Sequence, residues 1–409
     1  MVAMEKRALY QRIWDDLSAY KSMILLAGPR QAGKTTLARM VAEKFSNSLY
    51  FNYDIIENKK QLVENQRFYE SVNRKDNTRP LIMLDEIHKF HDWKNYLKDI
   101  YDRDGKNYLF LVTGSGRLNI YQKGGDSLAG RYLFFHLWPF TIAELTQRAS
   151  NLKNFLANVT EINVHDEKGT RHLWQTLGHF SGFPEPFLKG KREFYTLWSR
   201  DIKRQILRED VRDLMAIRRA DQLELLLSLL PSRVGSPVAI DNLARDIGVS
   251  FDSVRNWLNL FDHFFLTFRI APWTQRVARS ILKEKKIYLL DYAGIESADA
   301  RFENMVAMEL FRAIQTWNDR GLGDFSLHYV RTKERNEVDF LVAGNHKPLF
   351  LVETKLSDDQ PAPTLKAMQA LFGIPAVQLI DKPGVYKRFS NGGNQLIVVT
   401  AEQWLSGLP

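Results

Sequence analysis

A run of nine residues near the N-terminus has the composition and spacing of a loop that binds phosphate. Its members are Gly28, Pro29, Arg30, Gln31, Ala32, Gly33, Lys34, Thr35 and Thr36, which follow an apolar stretch and precede a helix-forming one. The glycines let backbone N–H groups close around phosphate oxygens, and the helix N-terminus adds positive potential. We expect Lys34 to bridge the β- and γ-phosphates of a nucleotide, Thr35 to ligate Mg²⁺ and Thr36 to support the α-phosphate.

Charged and hydroxyl residues at the ends of later apolar runs could complete this site. Asp85 and Glu86 end one run; the first would orient Mg²⁺ through water and the second would polarise the attacking water. Ser115, in the turn after the next run, could sense the γ-phosphate or position the water, although a simple turn is the alternative. Arg131 could reach the γ-phosphate of a neighbouring subunit, but its position alone favours an ordinary surface arginine.

Three charged residues near the C-terminus have the order of a metal-dependent nuclease site. Asp339 ends a short alternating run, and Glu353 and Lys355 lie two apart on a predicted strand, so both face the same side. Two carboxylates can hold Mg²⁺ against a phosphate while a lysine orients the water, and Glu303 or Glu309 would add an acid. Alternatively, Glu353 and Lys355 pair on a solvated strand, or the domain is an inactive DNA-binding or assembly module.

The middle of the chain has the spacing of a helix-turn-helix, with two short predicted helices around residues 248–250. Two polar residues of the second helix and four basic residues beyond it are candidate DNA contacts, the latter where the wing of a winged helix would follow phosphates. They are Arg255, Asn256, Arg279, Lys283, Lys285 and Lys286. The alternative is a packing module, because Val254, Trp257 and Leu258 have the spacing of core residues.

The elements that must position these residues indicate an α/β protein. Short apolar runs alternate with helical stretches up to about Phe140, which predicts βαβ units and a parallel sheet, and helical spacing dominates from Thr141 to about Gly235. We predict a nucleotide-binding core over 1–145 and a helical linker or lid over 146–235. A helix-turn-helix domain over 236–298 and a C-terminal α/β domain over 299–409 would follow.

Composition limits the kinds of partner that the chain is expected to bind. The 409 residues include 57 Lys and Arg against 48 Asp and Glu, a net charge of +9, which favours a polyanion such as nucleic acid, or indicates only a soluble and mildly basic chain. Cysteine is absent, which excludes disulfides and thiolate metal sites and fits a reducing cytoplasm. No apolar run has the length of a membrane span, so we expect no membrane partner.

Five motifs together resemble a large prokaryotic family of AAA-type ATPases whose members end in a domain of unknown function. They are Gly28–Thr36, Leu84–His88, Thr113–Gly116, Leu128–Arg131 with Leu137–Phe140, and Glu337–Phe340. The resemblance implies a P-loop core, a winged helix and a restriction-endonuclease-like C-terminal fold. It also implies ATP and Mg²⁺ as cofactors, a homo-oligomer such as a ring with Arg131 acting in trans, and Glu303 as the helix acid. The chain departs from the pattern at Gly116, where another serine is common, and at Thr354, where valine is usual.

These observations predict an oligomeric, Mg²⁺- and ATP-dependent ATPase that remodels DNA, branched DNA included, or moves along it in the cytoplasm. One alternative is an ATP-regulated, Mg²⁺-dependent nuclease. The other is a nucleotide switch that signals to a protein partner.

Overall fold

The computed structural model describes residues 7–114, 116, 128–148, 151–162, 167–211, 220–274, 284–332, 334, 336–391 and 393–409, except for the side chains of 167, 209–211 and 391. The chain divides into two compact units. Unit 1 consists of Met1–Trp138 and His263–Phe265, and unit 2 consists of Pro139–Asp262 and Leu266–Pro409.

Unit 1 is built on a five-stranded parallel sheet. The strands are β1 (Met23–Ala27), β2 (Ser48–Asn52), β3 (Leu81–Asp85), β4 (Leu109–Thr113) and β5 (Leu133–His136), in the order β2-β3-β4-β1-β5. Every residue of β1 and β3 is buried, which explains their continuous apolar sequences. The register places Asp85 beside Asn52 on one neighbour and beside Thr113 on the other, so three polar residues meet at one edge.

Four helices of unit 1 are α1 (Ala8–Tyr20), α2 (Lys34–Ala42), α3 (Ile56–Glu64) and α4 (Trp93–Asp104). Helix α1 buries Leu9, Ile13, Trp14 and Leu17, because residues three and four apart share one helix face. These side chains join Leu37 and Val41 of α2 and residues of β1, β3 and β4 in one hydrophobic core. Single 3₁₀ turns occur at Phe68–Ser71 and Ile87–Lys89.

Unit 2 begins with the helical region that the sequence predicts. The helices are α5 (Ile142–Thr146), α6 (Leu152–Ala157), α7 (Glu167–Phe180), α8 (Pro184–Lys189), α9 (Arg192–Gln205), α10 (Ala220–Leu229), α11 (Ile240–Ile247) and α12 (Phe251–His263). A π-helical turn at Ile206–Val211 follows α9, and a 3₁₀ turn at Leu230–Arg233 follows α10. Gly248, with φ 73°, ends α11 and leads into α12.

In the rest of unit 2, the described residues form an eight-stranded mixed sheet and three helices. Its strands are β6 (Thr267–Pro272), β7 (Lys286–Leu289), β8 (Phe325–Arg331), β9 (Glu337–Gly344), β10 (Lys347–Lys355), β11 (Ala376–Ile380), β12 (Tyr386–Asn391) and β13 (Asn394–Thr400). Their order is β12-β13-β11-β10-β9-β8-β6-β7, so one sheet spans the predicted boundary between 298 and 299. The helices are α13 (Ala298–Asp319), α14 (Pro363–Phe372) and α15 (Ala401–Leu405).

The predicted α/β class is confirmed, with a parallel sheet first, a helical region next and a mixed α/β sheet last. Within the described ranges, none of the helices combines the length and the hydropathy that crossing a bilayer would require.

Candidate functional site

The predicted phosphate loop joins β1 directly to α2. Gly28 has a φ of 151°, and a Cβ built on it would lie 2.2 Å from the carbonyl oxygen of Leu137, so the close approach of the chain after β5 excludes any side chain. Gly33, at a φ of 96°, precedes the first residue of α2. The first turn of α2 therefore leaves its backbone N–H groups at the loop, where an anion can accept them.

Lys34 lies folded over this loop. Its side chain is buried, and the ammonium Nζ donates to the carbonyl oxygens of Gly28 at 3.0 Å and Pro29 at 2.8 Å. The cation is thus held among the backbone groups that would surround a phosphate. This arrangement of a lysine, a glycine loop and a helix N-terminus fits a nucleotide's phosphates.

Asp85 accepts hydrogen bonds from three hydroxyl groups at the edge of the sheet, and we call Asp85 with these three donors the hub. Its buried carboxylate accepts from Thr35 Oγ1 at 2.8 Å and from Tyr50 Oη at 2.7 Å, both on Oδ2, and from Thr113 Oγ1 on Oδ1. The two residues predicted to hold Mg²⁺, Thr35 and Asp85, are therefore in direct contact. A hydroxyl and a carboxylate offer the oxygen ligands that Mg²⁺ prefers.

Tyr50 and Thr113 are site residues that the sequence reasoning missed in this role. Burial and the hydrogen bond to Asp85 raise the pKa of Tyr50. Tyr50 belongs to β2, the strand next to β3 in the sheet, and only that neighbour relation brings its hydroxyl to Asp85. A tyrosine two residues before the end of an apolar run is the one signal that the sequence carries.

Glu86 follows the hub residue in an uncommon backbone conformation. Its φ of 56° lies in the left-handed region, a conformation that costs a non-glycine residue energy and that recurs at functional sites. Its backbone N–H donates to the Thr113 carbonyl at 3.0 Å, and its carboxylate lies 3.3 Å from Lys89 Nζ. Burial raises the pKa of Glu86, which suits a general base for water.

The turn after β4 is described in part. Ser115 lies outside the described residues. At Gly116, a built Cβ would lie 2.5 Å from the carbonyl oxygen of His263, which belongs to the same unit. Backbone contact therefore explains why this chain has glycine where the resembling family commonly has serine.

Arg131, the predicted trans-acting arginine, is engaged within its own unit. Its Nε donates to Oδ1 of Asp102 at 2.7 Å and its Nη2 donates to Oδ2 at 2.9 Å. The hydrogen bonds from Arg131 lower the pKa of Asp102. Such a bidentate pair fixes the guanidinium, so a role on another subunit would require this pair to open.

The candidate DNA contacts fall into three groups. Arg255 and Asn256 are exposed on α12, where Arg255 pairs with Asp252 at 2.8 Å, while Val254, Trp257 and Leu258 are buried as the packing alternative expects. Arg279 and Lys283 lie outside the described residues. Lys285 is half-buried next to β7.

The structure contradicts the prediction that Lys286 contacts DNA. Its side chain is 1% exposed, so it cannot follow DNA phosphates at the surface. Its ammonium lies 2.7 Å from Glu337 Oε1, 3.1 Å from Glu303 Oε1 and 3.8 Å from Asp339 Oδ1. The cause is its place on β7, whose four residues are all buried.

The four predicted nuclease residues come together in unit 2. Glu353 Oε1 lies 2.6 Å from Lys355 Nζ, and Glu353 Oε2 accepts from the backbone N–H of Asp339 at 3.3 Å. Glu303 reaches the same cluster from α13 through Lys286. Burial raises the pKa of Glu303 to about 7 and that of Glu353 to about 8, with the Asp339 charge as the second cause in each.

Glu309, the other candidate acid of α13, lies elsewhere. It is 3% exposed, and its Oε1 accepts from the backbone N–H of Ile142 at 2.7 Å, at the start of α5. Burial raises the pKa of Glu309 to about 8. The helix acid that joins the cluster is thus Glu303.

Three family comparisons match successive parts of the chain. Residues 20–146 match an AAA domain, residues 171–299 match a domain of unknown function, DUF8612, and residues 298–399 match a second one, DUF4143. Two uncharacterized mycobacterial proteins, from Mycobacterium bovis and Mycobacterium tuberculosis, are each 22% identical over 334 residues, which is 80% of this chain and 68% of the relative.

Among solved structures, a Walker-type ATPase of Pyrococcus abyssi matches with a TM-score of 0.44 at 14% identity, over 71% of this chain and 95% of that one. AMPPCP-bound DnaA from Aquifex aeolicus matches with a TM-score of 0.28 at 14% identity, over 63% and 88%.

The parallel sheet, the loop after β1 and the acidic end of β3 define unit 1 as a P-loop nucleotide-binding domain. Residues 20–146 match an AAA domain, and together with this site geometry the match supports ATP hydrolysis by the chain. The predicted ATP-hydrolase class is therefore confirmed, as is the predicted order of an AAA-type core followed by domains of unknown function. The winged helix and the restriction-endonuclease-like fold stay predictions.

Proposed function

We propose that the chain is an oligomeric, Mg²⁺-dependent ATPase that acts on DNA, by remodelling it or by moving along it. One observation carries the ATP half of the proposal: Lys34, Thr35, Asp85 and Glu86 lie at one edge of a parallel sheet, with Thr35 bonded to Asp85. Ligands of open parallel sheets bind at the carboxyl ends of the strands. ATP with Mg²⁺ would supply the phosphoryl group whose transfer to water this edge promotes.

The residues of that edge would divide the work. Lys34 and the backbone N–H groups of residues 28–36 would bind the phosphates. Thr35 and Asp85 would hold the metal ion, Asp85 through water, and Glu86 would orient and deprotonate the attacking water. Ser115 would assist from the turn after β4, and Arg131 would act across a subunit boundary once its pair with Asp102 opens.

The DNA half of the proposal is supported by the net charge of +9 and by Arg255 and Asn256, which are exposed on the second helix of a helix-turn-helix arrangement. In such motifs the second helix presents side chains to base edges and phosphates. The switch alternative needs no DNA contact and predicts hydrolysis that DNA leaves unchanged. The nuclease alternative needs a divalent-cation site in unit 2.

The test is steady-state ATP hydrolysis at fixed low salt without DNA, with linear duplex and with a four-way junction. We expect DNA to stimulate hydrolysis and salt to weaken the stimulation, because phosphate contacts release counterions. Lys34→Ala should lose ATP binding, whereas Glu86→Gln should bind ATP and hydrolyse it at least about 100-fold more slowly. Near-wild-type hydrolysis in both variants would refute the ATP-site assignment.

The DNA assignment has a matched pair of variants. Arg255→Ala should lower DNA stimulation and reduce the magnitude of the salt slope by about 1. Arg103→Ala is the control, because Arg103 is also an exposed arginine paired along its helix, with Asp99. A rate that DNA never changes would instead support the switch.

A further inference from the structure

The carboxylate cluster of unit 2 contains a cation that belongs to the chain. Lys286 Nζ lies within 4 Å of oxygens of Glu303, Glu337 and Asp339, at 3.1, 2.7 and 3.8 Å. A divalent ion held by this cluster would need the same oxygens. The Lys286 ammonium therefore already supplies, from within the chain, the positive charge that these three carboxylates require.

The two central carboxylates are also occupied by donors of their own chain. Oδ2 of Asp339 accepts from Thr354 twice, from the backbone N–H at 2.8 Å and from Oγ1 at 2.6 Å. Glu353 has Lys355 on one oxygen and the backbone N–H of Asp339 on the other. Over the ranges that the structure describes, no three acidic or histidine side chains are arranged to hold a metal ion.

The departure from the family pattern at Thr354 adds a hydroxyl group to the cluster. The valine that is usual at this position has no hydroxyl, so the Oγ1 hydrogen bond to Asp339 exists only with threonine (or serine). The extra donor competes for the same carboxylate oxygen that a metal ion would take. Thr354 and Lys286 come from different strands, β10 and β7, and converge on Asp339.

Lys286 is held in place by the sheet. Its backbone pairs with Ile270 of β6, and its ammonium lies 5.6 Å from the centre of the Tyr329 ring. Tyr288, two residues along the same strand, donates to Glu303 Oε1 at 2.7 Å and so supports the same carboxylate. A divalent ion entering here would meet the buried Lys286 ammonium, and the repulsion would be strong at low dielectric.

We propose that Lys286 is the resident cation of this cluster and that, together with Thr354, it prevents the cluster from binding the divalent ion that a nuclease needs. The residues present thus do not fit the metal that the restriction-endonuclease-like resemblance implies. Unit 2 would then not cut DNA. This proposal is independent of the ATP site, because all of its residues lie in unit 2.

The test measures Mn²⁺ bound per chain, by electron paramagnetic resonance of the free ion, in the full-length protein without nucleotide. Mn²⁺ is the probe because it binds carboxylate oxygens as Mg²⁺ does and is detectable. The key variant is Lys286→Met with Glu303→Gln, which removes one positive and one negative charge. Thr354→Val is then added to it, and Lys203→Met, which removes a lysine paired with Asp291 at 3.2 Å, is the control.

We expect the wild type and the control to bind no Mn²⁺, the charge-matched variant to bind one ion per chain, and Thr354→Val to tighten that binding by about tenfold. Stoichiometric binding by the wild type that Glu353→Gln abolishes would overturn the proposal, and this measurement needs no altered Lys286. A folded charge-matched variant that binds no Mn²⁺, with or without Thr354→Val, would also overturn it. Circular dichroism and a thermal melt establish that each variant is folded.

Discussion

The hydroxyl of Tyr50 offers a sharp test of the hub around Asp85. Tyr50→Phe removes one of three hydroxyl donors from a carboxylate that is 3% exposed, and changes nothing else in the side chain. Thr35 remains on the same oxygen and Thr113 on the other, so Asp85 keeps two donors. The substitution therefore removes the hydrogen bond to the buried carboxylate, together with the one that Tyr50 Oη accepts from Asn52 Nδ2 at 3.2 Å.

The expected magnitude follows from the type of bond. A hydrogen bond to a charged group contributes about 1.5–3 kcal/mol, and the lower end applies here because Tyr50 is half-buried and Asp85 keeps other donors. For a unit of this size, about 1.5 kcal/mol lowers the melting temperature by roughly 5 °C. Bound Mg²⁺ would compensate Asp85 in place of the lost hydroxyl, so we expect roughly half of that loss in saturating Mg²⁺ and ATP.

The assay is a thermal melt of wild type, Tyr50→Phe and Tyr20→Phe, each without ligand, with ATP and EDTA, and with ATP and Mg²⁺. Tyr20 is the matched control because it is 81% exposed. Equal melting temperatures for wild type and Tyr50→Phe would refute the hub. A loss that is the same with EDTA and with Mg²⁺ would refute its link to the metal ion.

Three further substitutions test a buried acid and the arginine pair. Burial raises the pKa of Glu309 to about 8 from the usual 4.5, so the wild type loses stability as the pH rises from about 4.5 to about 8, by at most about 5 kcal/mol. Glu144, Arg312 and Tyr292 face this carboxyl. The stability of Glu309→Gln relative to the wild type should therefore rise across this pH range in urea melts, and a constant difference would contradict this. Arg131→Ala should lower kcat by about 10³-fold with ATP binding retained, if Arg131 acts in trans. Asp102→Asn should keep kcat, whereas equal losses in both variants would assign Arg131 to its own unit alone.

The parts of the fold and site that are local in sequence could be predicted. The run Gly28–Thr35 is contiguous in sequence, and its position between a strand and a helix can be recognised from hydropathy alone. The apolar stretch before Gly28 is observed as the strand Met23–Ala27, and the apolar run that ends at Asp85 and Glu86 is observed as the strand Leu81–Asp85. The acids at the end of β3 follow from that strand, because the carboxyl end of a parallel strand lies at the ligand edge.

The parts of the fold and site that depend on strand order and register could not be predicted from the sequence. Tyr50 reaches Asp85 only because β2 is the neighbour of β3, and no local pattern specifies the neighbour. Strand β12 is a short, largely polar strand at the edge of its sheet, and such a strand has weak periodicity. Glu337, two residues before Asp339 on β9, lies near Lys286 only once β7 joins the same sheet.

Lys286 shows why a run of basic residues misleads. Four basic residues between 279 and 286 indicate an exposed, phosphate-tracking segment when charge is counted along the chain. The apolar residues Ile287, Tyr288 and Leu289 that follow indicate a buried strand, and the strand begins at Lys286 itself. A lysine at the first position of a buried strand needs internal acids, and the chain supplies three from α13 and β9.

Ion pairs inside the protein do not alter the net charge of +9, because each pair contributes one positive and one negative charge. Lys286 is neutralised inside unit 2, Arg171 lies 2.7 Å from Asp381 and 3.3 Å from Glu402, and Arg131 is paired with Asp102. Positive charge bound to internal acids adds little to the field that attracts a polyanion, because each pair has nearly no net charge at a distance. Such pairs leave the total of +9 unchanged, so the total does not locate DNA binding, and the exposed residues Arg255 and Asn256 are the candidate location. A steep salt dependence of DNA-stimulated hydrolysis that Arg255→Ala reduces would locate the binding there, and the charge count alone cannot.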